Sequence, residues 1–599
     1  MSFKDVLSPF TAWKHLFHDP VSIRNPIGRA AAPRYRGFHQ NDIEKCIGCG
    51  TCETICQNGA IDMVPVEGIQ TKQGDSGLRP RIDYGRCCWC ALCVDVCMTK
   101  SLNMSNIYTW VESDGDAFRF IPGVDKKPWD DAAHGYRRPD DHQLTGPTRL
   151  REHMPEMEPE ERIGSFAEIV HGYNVEAAKL EADRCVSCGL CVATCPTHMA
   201  IPQYIKAIRD GDYDLGVALL YETNPFSSIC GRVCTRKCES TCAARHEGDA
   251  IAIRWLKRHI MDQVSDEQIK KVVGQPAAPT GRKVAIVGAG PAGLTAAFDL
   301  AKKGHQVVVY EALDKPGGMT RFGIPEYRLP YDVIDRDVDV IRSVGVDIRC
   351  NVRIGQDITL ERLKSDFDAV LIALGLQDGR GTRIPGSDQP MVRKAVDLLR
   401  RVTAGEDIGT PRQAVVIGGG NVAMDIARTL ARLQKKQYGE VKVILTALED
   451  LPHFLADADE IKESGEEGII ILDSRGPQQV VIENGQVTGL KTWKVKAIFD
   501  EQGRFAPTYD ETDEQFHPGT MVVEAIGQMA DTSLLGDALT EQLAWQRGRL
   551  QVDAGGRTSE AWLWSAGDMV RGPDVVSAVA DGHRVAASIH AAITQGVQQ

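Results

Sequence analysis

Residues Lys283–Glu311 read KVAIVGAGPAGLTAAFDLAKKGHQVVVYE. Lys283–Val287 is an apolar run of strand length. Gly288, Gly290 and Gly293 follow at GxGxxG spacing, and Pro291 and Ala292 open an apolar helix. A second strand, Val307–Tyr310, ends in Glu311, 23 positions after the first glycine (311 − 288). Each part has a task. Gly288 makes the tight turn, Gly290 lets backbone approach a pyrophosphate, and Gly293 lets helix pack on strand. The helix N-terminus faces the phosphates, and Glu311 accepts hydrogen bonds from a ribose diol. The stretch predicts a βαβ unit with a bound dinucleotide.

A second such unit lies at Gln413–Asp425, QAVVIGGGNVAMD. Gly418 and Gly420 make the turn, Asn421 and Val422 open the helix, and Ala423 replaces the third glycine, which the turn tolerates. The next strand, Val441–Leu445, runs into TALEDLP. Two units on one chain are typical of a flavoprotein that also binds a nicotinamide nucleotide. The second domain is expected at 396–514, inserted in a first domain made of 282–395 and 515–599.

The chain has 599 residues, enough for about three to five domains. It is 43% hydrophobic and 25% charged, as soluble globular proteins are. Net charge is −13 with no basic tract, which argues against a nucleic-acid partner. No apolar run approaches a membrane span and no secretory leader is visible, so the expected location is the cytoplasm, with peripheral membrane contact at most. The 18 cysteines are therefore expected as thiols or metal ligands rather than disulfides.

Sixteen of them fall into two groups of eight. KCIGCGTCETICQ gives Cys46, Cys49, Cys52 and Cys56; RCCWCALCVDVCM gives Cys87, Cys90, Cys93 and Cys97. Each is C-x2-C-x2-C-x3-C. Three closely spaced thiolates suit three irons of one cubane, and the fourth cysteine reaches the other cluster. That pairs Cys46, Cys49 and Cys52 with Cys97, and Cys87, Cys90 and Cys93 with Cys56. A four-cysteine zinc site rarely has this pitch. RCVSCGLCVATCP then gives Cys185, Cys188, Cys191 and Cys195, and CGRVCTRKCESTC gives Cys230, Cys234, Cys238 and Cys242. Cys88 and Cys350 remain.

The first group resembles a bacterial-type two-cluster ferredoxin, especially the ferredoxin-like subunit of respiratory complex I, which shares a lead-in like RYRG at Arg34–Gly37. Gln57 and Met98 stand where proline is usual, a change that bears on cluster potential and leaves the ligand count intact. The second group, with NPFSSICGRVC and KCESTC, resembles the glutamate synthase small subunit and the N-terminal part of dihydropyrimidine dehydrogenase. The resemblance implies a helical domain with two [4Fe-4S] clusters. One would use Cys185, Cys188, Cys191 and Cys242; the other Cys195, Cys234 and Cys238. Relatives can supply the last ligand from a Gln or Glu further on. The aligned position here is Lys257, which cannot ligate while protonated, and Cys230 is the nearby alternative.

PGGMTRFGIPEYRLP (Pro316–Pro330) resembles the segment beside the flavin in the same family. It implies FAD at the first glycine turn, near Gly318, Met319, Gly323 and Ile324. LWSAGDMV (Leu563–Val570) completes the pattern and implies Gly567 and Asp568 by the ribityl chain. NADPH-using relatives carry arginines after the second unit's next strand. Leu445, Thr446, Leu448, Glu449 and Asp450 stand there instead, so NADH is expected over NADPH. Glu449 is read as the ribose acid, or else as a solvated loop acid.

The fold class is thus multidomain α/β plus α. An N-terminal arm (1–40) shows apolar residues at helical spacing from Phe3 to Phe17, expected to pack on the next domain or to dock on a partner subunit or membrane surface. A ferredoxin-like 2[4Fe-4S] domain (41–108), a connector (109–165), a helical iron–sulfur domain (166–275) and two Rossmann-like domains for FAD and NAD follow. FAD, four [4Fe-4S] clusters and NAD(H) together imply a two-electron/one-electron converter that exchanges electrons with a partner redox subunit near the ferredoxin domain. Hydride transfer needs no side-chain acid or base, so no catalytic residue is expected. A thioredoxin-reductase-like enzyme would need a cysteine pair where 282–599 holds only Cys350. A dihydropyrimidine dehydrogenase would need a further barrel. A glutamate synthase-type NADPH donor and a non-catalytic wiring or assembly subunit are the remaining alternatives.

Overall fold

The computed structural model describes residues 31–139 and 150–594 except 547 and 573, together with Phe10, Trp13 and residues 16–18. The helical pattern expected in the N-terminal arm lies largely outside these; Phe10, Trp13, Leu16 and Phe17 are exposed. The chain divides into two compact units. One takes in the ferredoxin region with Val186–Leu190 and Thr241–Ala250; the other takes in Leu150–Cys185, Cys191–Ser240 and the residues from Ile251 onward.

In the first unit, Ile61–Pro65, Leu78–Asp83 and Arg119–Phe120 form an antiparallel sheet, and His39–Asn41 pairs antiparallel with Leu102–Met104. The third cysteine of each repeat lies at or near a short helix, Thr51–Ile55 or Leu92–Asp95. The core between them is aromatic. Phe38 stacks on Trp129 with centroids 4.2 Å apart, and Tyr84 stacks on Phe120 at 5.1 Å. The described part of the connector expected at 109–165 supplies Phe120 and the fully buried Trp129 to this core.

The second unit begins with helices. Ile201–Asp210, Ser227–Val233 and Ile253–Asp262 pack around buried Ile205, Ile208, Ile229, Leu256 and Ile260. Two all-parallel sheets follow. In the first the order is Leu563–Ser565, Ala369–Ile372, Lys283–Val287, Gln306–Tyr310, Asp347–Arg349. In the second it is Val392–Lys394, Met521–Glu524, Ala414–Ile417, Val443–Thr446, Ile470–Leu472. Each glycine turn leaves the middle strand, where a doubly wound sheet places its ligand crevice. The central strands are buried on both faces, which is why they read as continuous Val/Ile/Leu runs. Val392–Lys394 and Met521–Glu524 lie outside the 396–514 span expected for this domain. A long antiparallel sheet, Arg475–Glu483, Gln486–Phe499 and Phe505–Pro518, is attached to the second parallel sheet. Among the described residues no helix is long and apolar enough to cross a membrane.

Candidate cofactor and cluster sites

The first glycine turn is packed shut around its backbone. Gly288 has φ 106°, and a Cβ there would strike the Ala373 carbonyl oxygen. A Cβ on Gly293 would strike the Gly288 carbonyl oxygen, which is the close helix–strand contact its position predicts. Gly290 is extended and precedes the helix Pro291–Lys302, with no side chain capping it. The helix thus presents free amides and its positive dipole end to an anion. Gly318 closes the far side: at φ 55°, its Cβ would lie 2.8 Å from Gly290 Cα. Met319 folds back so far that a Cβ on Gly323 would meet its methyl group, and Ile324 is half-buried next to it.

Glu311 is buried and accepts from the N–H groups of Ala289 and Leu313, each at 2.9 Å. Burial raises its pKa while those backbone hydrogen bonds pull it down. Each oxygen keeps a lone pair for a ribose hydroxyl. At the other end, Gly567 N–H donates to Asp581 at 2.7 Å. Asp568 carries a buried Oδ1 without a partner, and burial, then the neighbouring Asp574, push its carboxyl up to about 7. An orphan carboxylate oxygen beside an uncapped helix fits a ligand that brings both hydroxyls and phosphates, as FAD does.

The second turn repeats the plan with one side left open. A Cβ on Gly418 would strike the Ala525 carbonyl oxygen, but a Cβ on Gly420 would meet nothing within 4 Å. The helix Asn421–Tyr438 again starts without a side-chain cap. Ala423 fits under the turn, 3.4 Å from the Cβ position of Gly418. Glu449 Oε2 lies 3.2 Å from the Cβ position of Gly419, which puts an acid at the turn after the next strand. Asn421 Oδ1 accepts from Asp457 N–H at 2.8 Å, so its amide NH2 and backbone N–H are what it can offer a nucleotide. Val422 is half-buried behind it.

In the ferredoxin region the thiol of Cys52 is raised well above its usual value, by burial first and then by Cys49, Cys93, Cys46 and Cys97. Cys46 is likewise raised, chiefly by burial, with Cys97 a neighbour. Burial also raises Cys87 to about 11, and Cys90 and Cys56 are neighbours of both Cys87 and Cys93. Cys97 thus lies near Cys46 and Cys52, and Cys56 near Cys87, Cys90 and Cys93. Clustered buried thiols are a poor arrangement for neutral side chains and a good one for thiolates bound to iron. Among the described residues no three of His, Cys, Asp and Glu close round a point as one metal ion requires; a cubane takes one thiolate at each of four irons and asks for a wider set.

One residue here escaped the sequence reading. His39 is 1% exposed, and its Nε2 lies 3.2 Å from Cys93 Sγ. Tyr84 Oη accepts the His39 backbone N–H at 2.7 Å and reaches Nδ1 at 2.7 Å. The tyrosine proton therefore goes to Nδ1, which leaves the ring proton on Nε2 to donate to the Cys93 sulfur. Burial lowers its pKa to about 4, so the ring is neutral. His39 stands seven residues before Cys46 (46 − 39), just after the RYRG lead-in, the only local signal that could have marked it.

In the second cysteine group, Cys195, Cys230, Cys234 and Cys238 are neighbours of one buried cation, Lys257. Tyr204, fully buried, neighbours Cys238, Cys191, Cys195 and Cys234. Cys185 and Cys191 belong to the second unit, and Cys188 and Cys242 to the first. Within the first unit Cys188 and Cys49 pack on one apolar cluster of Met98, Leu190 and Ala243.

Comparisons with known proteins agree with this layout. A family model for pyridine nucleotide-disulphide oxidoreductases matches residues 282–596. One for dihydropyrimidine dehydrogenase domain II with its 4Fe-4S cluster matches 162–269, and a 4Fe-4S dicluster domain matches 45–101. The chain is 36% identical to the NADP(+)-dependent formate dehydrogenase subunit beta of Moorella thermoacetica, over 68% of this chain and 60% of that protein. It is 34% identical to the NAD-dependent dihydropyrimidine dehydrogenase subunit PreT of Escherichia coli (strain K12), over 71% of this chain and 96% of that one. It is 32% identical to the glutamate synthase [NADPH] small chain of Halomonas elongata, over 73% and 95%. The chain spans about 60% of the length of the formate dehydrogenase subunit it matches. It belongs to the pyridine nucleotide-disulphide oxidoreductase family, among the NAD(P)H-dependent flavin and iron–sulfur oxidoreductases of the glutamate synthase small-subunit type.

Proposed function

We propose that the protein is a nicotinamide-linked electron converter, exchanging a pair of electrons with NADH and single electrons with a partner redox subunit or ferredoxin. The observation that carries this reading is the apolar cluster shared by Cys49 and Cys188, which links the two cysteine-rich regions at residues assigned to different clusters. A bound flavin would supply hydride acceptance and stepwise electron release, and four [4Fe-4S] clusters would supply one-electron conduction. Gly288, Gly290, Gly293, Gly318, Glu311 and Asp568 would hold the flavin. Gly418, Gly420 and Glu449 would seat the nicotinamide nucleotide. The sixteen cysteines from Cys46 to Cys242 would hold the clusters.

The chain's own contribution is binding, orientation and wiring. Arg328 ties the GIP segment to the second nucleotide domain: its Nη1 donates to both carboxylate oxygens of Asp425, at 2.7 and 2.8 Å, and its Nε pairs with Glu460 at 2.7 Å. NADH is preferred because Glu449 and Asp450 would repel a 2′-phosphate that relatives pair with arginine. Anaerobic stopped-flow mixing tests both parts. NADH is expected to bleach the flavin absorbance faster than NADPH, in protein with about sixteen irons per chain. No bleaching by either nucleotide would contradict the converter, and faster bleaching by NADPH would contradict the choice of nucleotide.

A further inference from the structure

The site around Cys195, Cys234 and Cys238 contains a buried positive charge. Lys257 is 4% exposed, and among the described residues no carboxylate pairs with it. Its neighbours are Cys234, Cys230, Cys195 and Cys238. The helix Ile253–Asp262 brings it there by crossing Ser227–Val233 at very short range: a Cβ on Gly231 would lie 2.9 Å from Arg258 Cα. Cys230 and Lys257 are the residues immediately before that contact on each helix, and Cys230 is completely buried.

A second group points to the same sulfur. Asn224 is fully buried; its Oδ1 accepts from Phe226 N–H at 2.8 Å, but its Nδ2 has no hydrogen-bond acceptor among the described residues. The Cys230 thiol is the polar group beside it. A buried amide thus stands beside Cys230, and a buried ammonium lies among Cys230 and the three other cysteines. A neutral thiol would leave both poorly satisfied, and an uncompensated buried ammonium is expensive. A thiolate held by iron would satisfy both. Lys257 itself offers no electron pair while charged, so it cannot be the ligand.

Resting on the iron–sulfur reading of this domain, we propose that Cys230 completes the cluster with Cys195, Cys234 and Cys238. Lys257, with Asn224, is then a positioning charge outside the cluster that favours its reduced form. An added electron makes the cluster more negative, and a fixed cation in a water-poor site stabilises that state more than the oxidised one.

The test uses the full chain, purified anaerobically with its cofactors. In Cys230→Ala, one of the clusters is expected to lose an iron, read by Mössbauer spectra and by the oxidised-state electron paramagnetic resonance (EPR) signal of a three-iron centre. Cys230→Ser, which keeps an oxygen ligand, is expected to retain four irons with an altered spectrum. In Lys257→Met, which removes the charge and offers no oxygen ligand, iron content is expected to stay constant. Potentiometric EPR titration should show the reduction equilibrium of one cluster moved about tenfold or more toward the oxidised form, ~59 mV for one electron. Cys230→Ala with unchanged iron and spectra would overturn the ligand assignment. Lys257→Met with every midpoint unmoved would overturn the role of the charge. A wild-type protein without cluster signals from this domain would instead remove the iron–sulfur reading on which the proposal stands.

Discussion

The two glycine turns each leave the middle strand of a five-stranded parallel sheet, and they differ in what stands opposite. At the first, Gly318 comes within 2.8 Å of Gly290 once a Cβ is imagined on it, and Glu311 is buried with two backbone N–H groups on its carboxylate. At the second, the space over Gly420 is empty to 4 Å, and Glu449 is only half-buried. A ligand enclosed by backbone on two sides leaves only when that backbone moves; a ligand resting on one open turn comes and goes. The same local motif therefore serves a resident nucleotide at one place and a visiting one at the other, and the difference is made by a distant segment rather than by the motif.

The largest effect should come from breaking the closed turn. Gly318→Ala puts a methyl group against Gly290 in a left-handed backbone conformation, so strain and overpacking combine at a few kcal/mol. Protein purified with that substitution should hold less than about a tenth of the wild-type FAD by absorbance, while circular dichroism stays native; full occupancy would mean that the two glycines do not enclose the flavin. The open turn should respond differently. Gly420→Ala meets no protein atom, so FAD content and folding should be unchanged, but the methyl group takes phosphate space. An increase of about tenfold to a hundredfold in KM for NADH is expected, and an unchanged KM would place the nucleotide elsewhere.

The acids sharpen the contrast. Glu449→Gln should lower kcat/KM with NADH by about tenfold, the worth of one hydrogen bond to a charged group. Glu449→Arg should move the NADPH-to-NADH ratio upward by at least as much, and equal ratios in all three proteins would make Glu449 a bystander. The smallest effect concerns Asp568, whose carboxyl burial raises to about 7 in the flavin-free site. Raised above its unfolded value, it is neutral in the folded chain at low pH, and its ionisation costs the apoprotein stability as pH climbs from about 4 to about 7. Ribityl hydroxyls that donate to the carboxylate reverse this. FAD affinity measured by fluorescence quenching should therefore rise with pH up to about 7, by at most tenfold per pH unit, and the dependence should vanish in Asp568→Asn.

Local spacing made most of this visible in advance. Gly288, Gly290, Gly293, Gly418 and Gly420 announce themselves because a turn between strand and helix has few solutions, and the cysteine repeats because a cubane fixes their pitch. What stayed hidden acts across long separations. Nothing near Gly318 in sequence tells that it backs onto Gly290. Trp129 has no periodic neighbours, yet it fills the ferredoxin core. His39 was invisible as a hydrogen-bond donor to sulfur because its acceptor Cys93 lies 54 positions away and Tyr84, which sets its tautomer, 45. Lys257 was noticed only as a residue that could not ligate; its burial among four cysteines, and the helix crossing at Gly231 that puts it there, required the fold.

The central claim, that one chain turns paired electrons into single ones, is met most directly by adding one equivalent of NADH per chain without oxygen and following flavin absorbance and cluster EPR in the same sample. The account predicts incomplete loss of flavin absorbance together with reduced-cluster signals, because the electrons spread along the chain of centres. Complete flavin reduction with no cluster signal at any time would contradict it.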